Sequence, residues 1–272
     1  MNRKTSAVLM VSIILIAVIV SLVYLRRERG LVGGGGEEGG GPEVVYYGPG
    51  MDRHLILGND TTSIHFEVDY VQGYGPSQQA LDALREGIST VTGKSVSINL
   101  DDVFEPQKDS YTREDLENLE NTYRDHQKQE GSTVWIYVLC LNGVYNGSSG
   151  VLGVAYNGTS FAIMEEQIDD IDIPRVLQLA GLTVEDFESS VMVHEMGHLF
   201  GLVNIGYESE RNHEDPDHPH HCDDPDCVMY WALETSPAYY IQQWLNTGNP
   251  EPPTTFCDDC LFDIQQIAEG LY

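Results

Sequence analysis

Basic residues are scarce in this chain. It has 14 Lys and Arg against 43 Asp and Glu among 272 residues, a formal net charge of -29, and only four of the basic residues are lysines. A surface this anionic repels phosphate backbones and acidic headgroups, which argues against nucleic acid or anionic lipid as partners of the soluble part. It suits concentrated salt, where self-repulsion is screened, and a halophile-like source is one expectation; an ordinary acidic domain is the other. No Ser-His-Asp order suggests a covalent nucleophile. Long hydrophobic runs are also few, with one exception at the start.

That exception is residues 8–25, which carry no charge. A bilayer core takes about 20 apolar residues as helix and tolerates about 17. Leu25-Arg26-Arg27-Glu28-Arg29 follows in place of the small residues of a cleavage site, so an uncleaved single-pass anchor over 1–29 is expected. Arg3 and Lys4 precede it, and Arg26, Arg27 and Arg29 follow. The excess after it points the rest of the chain to the cytoplasm, by a margin too narrow to decide the side. Residues 30–50, with Gly33 to Gly36 and Gly39 to Gly41, form a flexible linker. Residues 51–272 are enough for one sizeable core.

Periodicity predicts strands at Ser63–Tyr70, Val96–Leu100, Thr133–Leu141, Val151–Tyr156 and Ser160–Met164. It predicts helices over Ser77–Ile88, Thr112 to about Gln129, Pro174–Leu179 and Thr183 to about Phe200. A last helix opens at Thr255 and runs through Ile267 and Ala268. The Thr133–Leu141 run is apolar on both faces and reads as a central strand, with Cys140 a buried apolar residue. The pattern is that of an α+β protein with a mixed twisted sheet packed on helices.

The chemistry centres on His194-Glu195-Met196-Gly197-His198. Two imidazoles four apart on a helix face the same way and can share one tetrahedral zinc ion. Glu195, adjacent to the first, is placed to act as general base and acid on the attacking water. Apolar Val191, Val193, Leu199 and Phe200 put the helix inside the protein, where unpaired imidazoles and a carboxylate are costly unless a metal holds them.

The run His194 to Leu202 resembles the active helix of metzincin peptidases, in which Gly201 would let the chain turn back with a third histidine. That histidine falls three residues after the glycine; here the position is Asn204, a poor zinc ligand. Further on, His221-Cys222, Cys227, Met229 and Cys257-x-x-Cys260 resemble, in order, the segment that follows in archaemetzincins. The resemblance implies a zincin fold with a Met-turn at Met229 below the metal and His221 as third ligand. His213, His218 and His220 are rivals, His213 the strongest, in an insertion running from Asn204 to about His220. The resemblance also implies a second, structural zinc on Cys222, Cys227, Cys257 and Cys260. Two disulfides are the alternative if the domain faces outside. The His- and Asp-rich insertion (204–220) suits an additional metal.

The function expected is a zinc metalloendopeptidase acting on a peptide or protein substrate, tethered to a membrane. Two alternatives stay open. One is a catalytically weak metal-binding or scaffold protein; the other is a zinc amidase for a small substrate.

Overall fold

The computed structural model describes residues 48–106, 108–235, 237–247 and 252–272. The expected anchor (1–29) and nearly all of the linker lie outside the described residues. Among the described residues no helix is long and apolar enough to cross a membrane.

The elements follow in chain order: α1 (Arg53–Leu57), β1 (Ser63–Val71), α2 (Gln78–Thr92), β2 (Ser95–Phe104), β3 (Ser110–Tyr111), α3 (Arg113–Tyr123), β4 (Gln129–Glu130), β5 (Thr133–Leu141), β6 (Val144–Tyr145), β7 (Gly153–Asn157) and β8 (Ser160–Met164). Then come α4 (Glu165–Asp169), α5 (Arg175–Leu179), α6 (Val184–Leu199), α7 (Ala232–Thr235), α8 (Pro237–Thr247) and α9 (Asp258–Ala268). The main sheet has the order β2-β1-β5-β8-β7, with β4 added to β5. Strands β2, β1, β5 and β8 run parallel, and β7 closes the row antiparallel as its edge.

Alternation along the strands sorts the sheet into two faces. Ile64, Phe66 and Val68 of β1 stand opposite Val134, Ile136 and Val138 of β5 and share one cluster with Leu84 and Ile88 of α2 and Val191 and Met192 of α6. On the other face Tyr137, Leu139 and Leu141 pack with Leu116 of α3, against which Leu119 and Tyr123 also lie. The two-sided burial of β5 is what its apolar run predicts.

Two helices differ from the sequence expectation. α3 stops at Tyr123, short of Gln129, because the buried Glu67 carboxylate accepts the backbone N–H groups of Asp125 (2.6 Å) and His126 (3.2 Å). Those donors are thereby taken from the next helical turn. The last helix starts at Asp258, with Cys257 as its N-cap rather than Thr255. The Thr255 carbonyl is occupied by the N–H of Val228 at 2.9 Å, which keeps residues 255–257 alongside the Met229 segment. α7 and α8 were not anticipated from the sequence.

Candidate active site and sulfur-rich metal centre

The helix that carries the motif, α6, is held from both ends. At its start the Asp186 carboxylate accepts the N–H of Thr183 at 2.8 Å, half of a capping box. At its end Gly201 adopts φ +78°, and the N–H of Leu202 returns to the Gly197 carbonyl at 3.1 Å. In between, every residue from Phe187 to Leu199 is buried. Gly197 has a packing reason: a Cβ there would overlap the Met229 sulfur, so Met229 sits directly against the helix between the two histidines.

His194 and His198 point together, with their Nε2 atoms 3.0 Å apart. His194 donates its Nδ1–H to the Val228 carbonyl at 2.6 Å. A carbonyl only accepts, so the proton is on Nδ1 and Nε2 is a bare lone pair. His221 is likewise oriented, donating Nδ1–H to the Pro219 carbonyl at 3.0 Å and turning Nε2 inward. Its ring centroid lies 5.3 Å from His194 and 5.2 Å from His198. The Nε2 atoms of all three, and a carboxylate oxygen of Glu234 on α7, lie within 4.8 Å of one another. Bare nitrogens this close repel unless a cation lies between them, and tetrahedral zinc with Zn–N of about 2.0–2.1 Å sets its ligand atoms roughly 3.3 Å apart. The donors fit zinc. Burial pushes His198 down to about 3, with the neighbouring imidazoles adding to the shift, so its ring is neutral and ready to bind metal.

Glu195 is fully buried, and neither carboxylate oxygen has a hydrogen-bond partner. Burial, and secondarily the Glu234 charge, raises its pKa well above the usual carboxylate range. An orphaned buried acceptor beside three converging imidazoles is what a water-binding base requires. It lies against the edge strand: a Cβ on Gly153 would come within 2.5 Å of its Oε1.

Asn204 is turned to a different task. It adopts φ +65°, donates Nδ2–H to Glu214 at 2.8 Å and accepts the Ser209 N–H at 2.8 Å, so it folds the insertion on itself. The rival histidines are placed elsewhere. His218 stacks on Trp231 at 3.9 Å, and His220 Nδ1–H reaches the Val203 carbonyl at 3.3 Å. His213 goes to the second cluster.

There the four paired cysteines meet. Cys222 Sγ is 3.7 Å from Cys257 Sγ, and Cys227 Sγ is 3.6 Å from Cys260 Sγ. Disulfide sulfurs lie about 2.05 Å apart, so these are free thiols. The spacing instead matches the edge of a zinc–thiolate tetrahedron, about 3.8 Å for Zn–S near 2.3 Å. His213 was not expected here: its Nδ1 lies 3.5 Å from Cys222 Sγ, and Nδ1 forms one compact donor set with Cys222, Cys257 and Cys260. Its other nitrogen donates to buried Asp263 at 2.9 Å, and Asp263 also accepts from Tyr207 (2.9 Å) and Ser209 (2.6 Å). Burial alone would lower the His213 pKa; the Asp263 carboxylate and the Cys222 sulfur outweigh it and lift the ring to about 10. Cys227 accepts the N–H groups of Met229 and Cys257, each at 3.4 Å, and is not a member of that donor set, in which His213 takes the place expected for it. Hydrogen bonds from the other three cysteines hold Cys257 far below the usual thiol range. The insertion therefore contributes His213 to the sulfur centre, and among the described residues it forms no third cluster of its own.

Glu234 and His213 were the two donors that sequence reasoning missed or misplaced. Glu234 follows no motif spacing, and its only sequence signal is position, five residues after Met229.

The sequence model of the metallo-peptidase family M12B, reprolysin-like, matches residues 83–203, ending one residue before Asn204. No curated protein matches the sequence. Among solved structures, archaemetzincin from Methanopyrus kandleri is similar in fold, with a TM-score of 0.50, 16% identity, and coverage of 76% of this chain and 97% of that one. A zinc-dependent peptidase from Methanocorpusculum labreanum is 18% identical over 74% of this chain and 99% of its own, with a TM-score of 0.43. The match to the metallo-peptidase model thus covers the helix that carries His194, Glu195 and His198, and the structure adds two candidate metal sites, one of converging histidines and one rich in sulfur.

Proposed function

We propose that the chain is an endopeptidase that hydrolyses peptide bonds of an extended substrate, with Glu195 as general base and acid. The observation that carries this reading is the buried Glu195 carboxylate, without a hydrogen bond of ordinary geometry, next in sequence to His194 of the converging histidines and packed against Gly153 of the edge strand. His194, His198 and His221 are the residues that would hold a catalytic zinc ion. Bound there, zinc lowers the pKa of water toward about 7 and polarises a carbonyl oxygen.

The rest is done by the chain's own groups. Val228 and Pro219 carbonyls fix the imidazole tautomers, so no reorganisation accompanies loading. The Ala155 N–H of β7 makes no hydrogen bond of ordinary geometry with Glu195 and only partly offsets the effect of burial, so the carboxylate oxygens stay available to water. Its raised pKa makes it a better proton acceptor than an exposed carboxylate, so it takes the proton of the attacking water and returns it to the leaving amine. β7 ends the sheet and leaves one edge for an extended peptide to pair with, which favours a polypeptide over a small amide. The second cluster would carry a structural zinc tying α9 to the Met229 segment. The uncharged run at 8–25 supports a membrane tether for this domain.

Glu195→Gln tests the assignment. Zinc content should stay at two per chain while peptide hydrolysis falls at least about a thousandfold, the scale expected when a general base is removed together with its charge. Wild-type turnover in the glutamine variant would remove Glu195 from the mechanism.

A further inference from the structure

A hydrolytic zinc site keeps one coordination position open, with three protein ligands and a fourth place for water or substrate. Here that place is filled by the protein. Glu234 Oε2 lies 2.9 Å from His221 Nε2, 3.6 Å from His194 Nε2 and 3.9 Å from His198 Nε2. With the 3.0 Å between His194 and His198, these separations scatter around the roughly 3.3 Å edge of a zinc tetrahedron with nitrogen and oxygen ligands. A carboxylate facing a bare imidazole nitrogen at 2.9 Å is repulsive unless a shared cation or a proton joins them.

A second observation concerns the backbone. The Glu234 carbonyl accepts the N–H of Leu152 at 2.8 Å, and Leu152 immediately precedes edge strand β7. The Leu152 carbonyl in turn accepts from Met164 at the end of β8. α7 is thus docked onto the start of the strand edge, and the loop before it is close too: a Cβ on Gly150 would lie 3.3 Å from the Thr235 carbonyl. One short segment takes up both the metal's fourth position and a backbone donor beside the substrate-pairing edge.

We infer that Glu234 is an internal fourth ligand, a built-in cap that a substrate carbonyl must displace before hydrolysis. The inference rests on the proposed zinc site and adds its resting state. The capped site holds zinc with four protein donors and no place for water. In the open site Glu234 leaves with α7, freeing the fourth position and the Leu152 N–H together.

The test uses the full chain loaded with zinc, or with cobalt in its place, and acetohydroxamate as a small bidentate probe. Glu234→Ala and the isosteric Glu234→Gln are compared with wild type. Acetohydroxamate should bind at least tenfold more tightly to both variants, and the visible absorption of the cobalt form without probe should change in band position or intensity when the carboxylate is lost. Zinc should also leave both variants faster in the presence of a chelator. Equal probe affinity with an unchanged cobalt spectrum overturns the cap, and so does weaker probe binding in the variants, which would make Glu234 an aid to the ligand rather than its competitor. Failure of the underlying reading looks different: wild-type protein would then bind no more zinc than His194→Ala.

Discussion

Gly153→Ala places a methyl group where β7 meets the proposed base. The new Cβ would stand 2.5 Å from Glu195 Oε1, 2.7 Å from Val191 Cγ1 and 2.9 Å from Glu195 Cγ. Ordinary contact for such pairs begins near 3.4 Å. The carboxylate must therefore retreat by about 1 Å, or the strand must back away from α6 by a similar distance. Overpacking of this kind costs about 1–3 kcal/mol in a well-packed interior. In a domain of this size that lowers Tm by roughly 2–4 °C per kcal/mol. A catalytic group misplaced by about 1 Å costs on the order of a hundredfold in turnover. The expected variant is folded, carries the wild-type complement of zinc, melts several degrees lower and has kcat down by roughly two orders of magnitude. Hydrolysis of a quenched fluorescent peptide gives kcat and KM, elemental analysis gives zinc, and a thermal scan gives Tm. Adding Glu195→Ala should return part of the lost stability, because it deletes two of the three clashing atoms; a coupling of about 1 kcal/mol is expected for groups in contact. Wild-type kcat in Gly153→Ala, or strict additivity with Glu195→Ala, would mean that the carboxylate does not rest against this strand.

Two further outcomes follow from the buried groups. Cys257→Ala should lower zinc from two ions per chain to one and unfold the protein at a much lower temperature, since a structural zinc contributes its binding free energy to folding; unchanged stoichiometry would remove the sulfur cluster from the metal sites. Asp69, buried on β1 between Tyr137 of β5 and Asp102 of β2, has its pKa raised from 3.8 to about 6, chiefly by burial and despite hydrogen bonds from the Tyr137 hydroxyl and the Asp102 N–H. Its protonated form is favoured in the fold, so its contribution to stability is full below about pH 4 and is lost as pH rises through 6. Asp69→Asn removes the titration and should stabilise the protein at pH 8 by on the order of 1–3 kcal/mol with little gain at pH 4, read from urea midpoints at the two pH values.

Much of the site is written locally. The i, i+4 histidines, the adjacent glutamate and the helix-ending glycine sit within one helix, so the period of 3.6 residues suffices to bring them together. His221, Cys222, Cys227 and Met229 are close in sequence, and the folded segment places them as a unit: Cys222 N–H reaches the Met229 carbonyl at 2.9 Å and the Val228 carbonyl receives His194. What could not be read depends on long-range placement. α3 ends where a carboxylate from β1 reaches in, and no local signal at 124–126 announces Glu67. His213 meets the sulfurs because buried Asp263, fifty residues later, holds its far nitrogen. Glu234 reaches the histidines from a four-residue helix with no cap or periodicity to mark it.

The two donor clusters are mechanically one structure. His221 and Cys222 are consecutive, so a ligand of the proposed catalytic site is bonded directly to a ligand of the sulfur centre. Val228 holds His194 through its carbonyl and pairs with Thr255 through its N–H, two residues before Cys257. Cys227 accepts the Met229 N–H, and Met229 fills the space that Gly197 leaves between the histidines. A metal held at the sulfur cluster would therefore fix the backbone that orients both His221 and His194. The insertion also changes how the third histidine is delivered. A histidine at position 204 would come straight off the helix turn; with Asn204 there, the chain runs through residues 204–220 and is pinned by Asn204 to Glu214 and by His213 to Asp263 before His221 arrives. The loop that delivers His221 has its far end at the second cluster, and the geometry of the first cluster depends on that anchor.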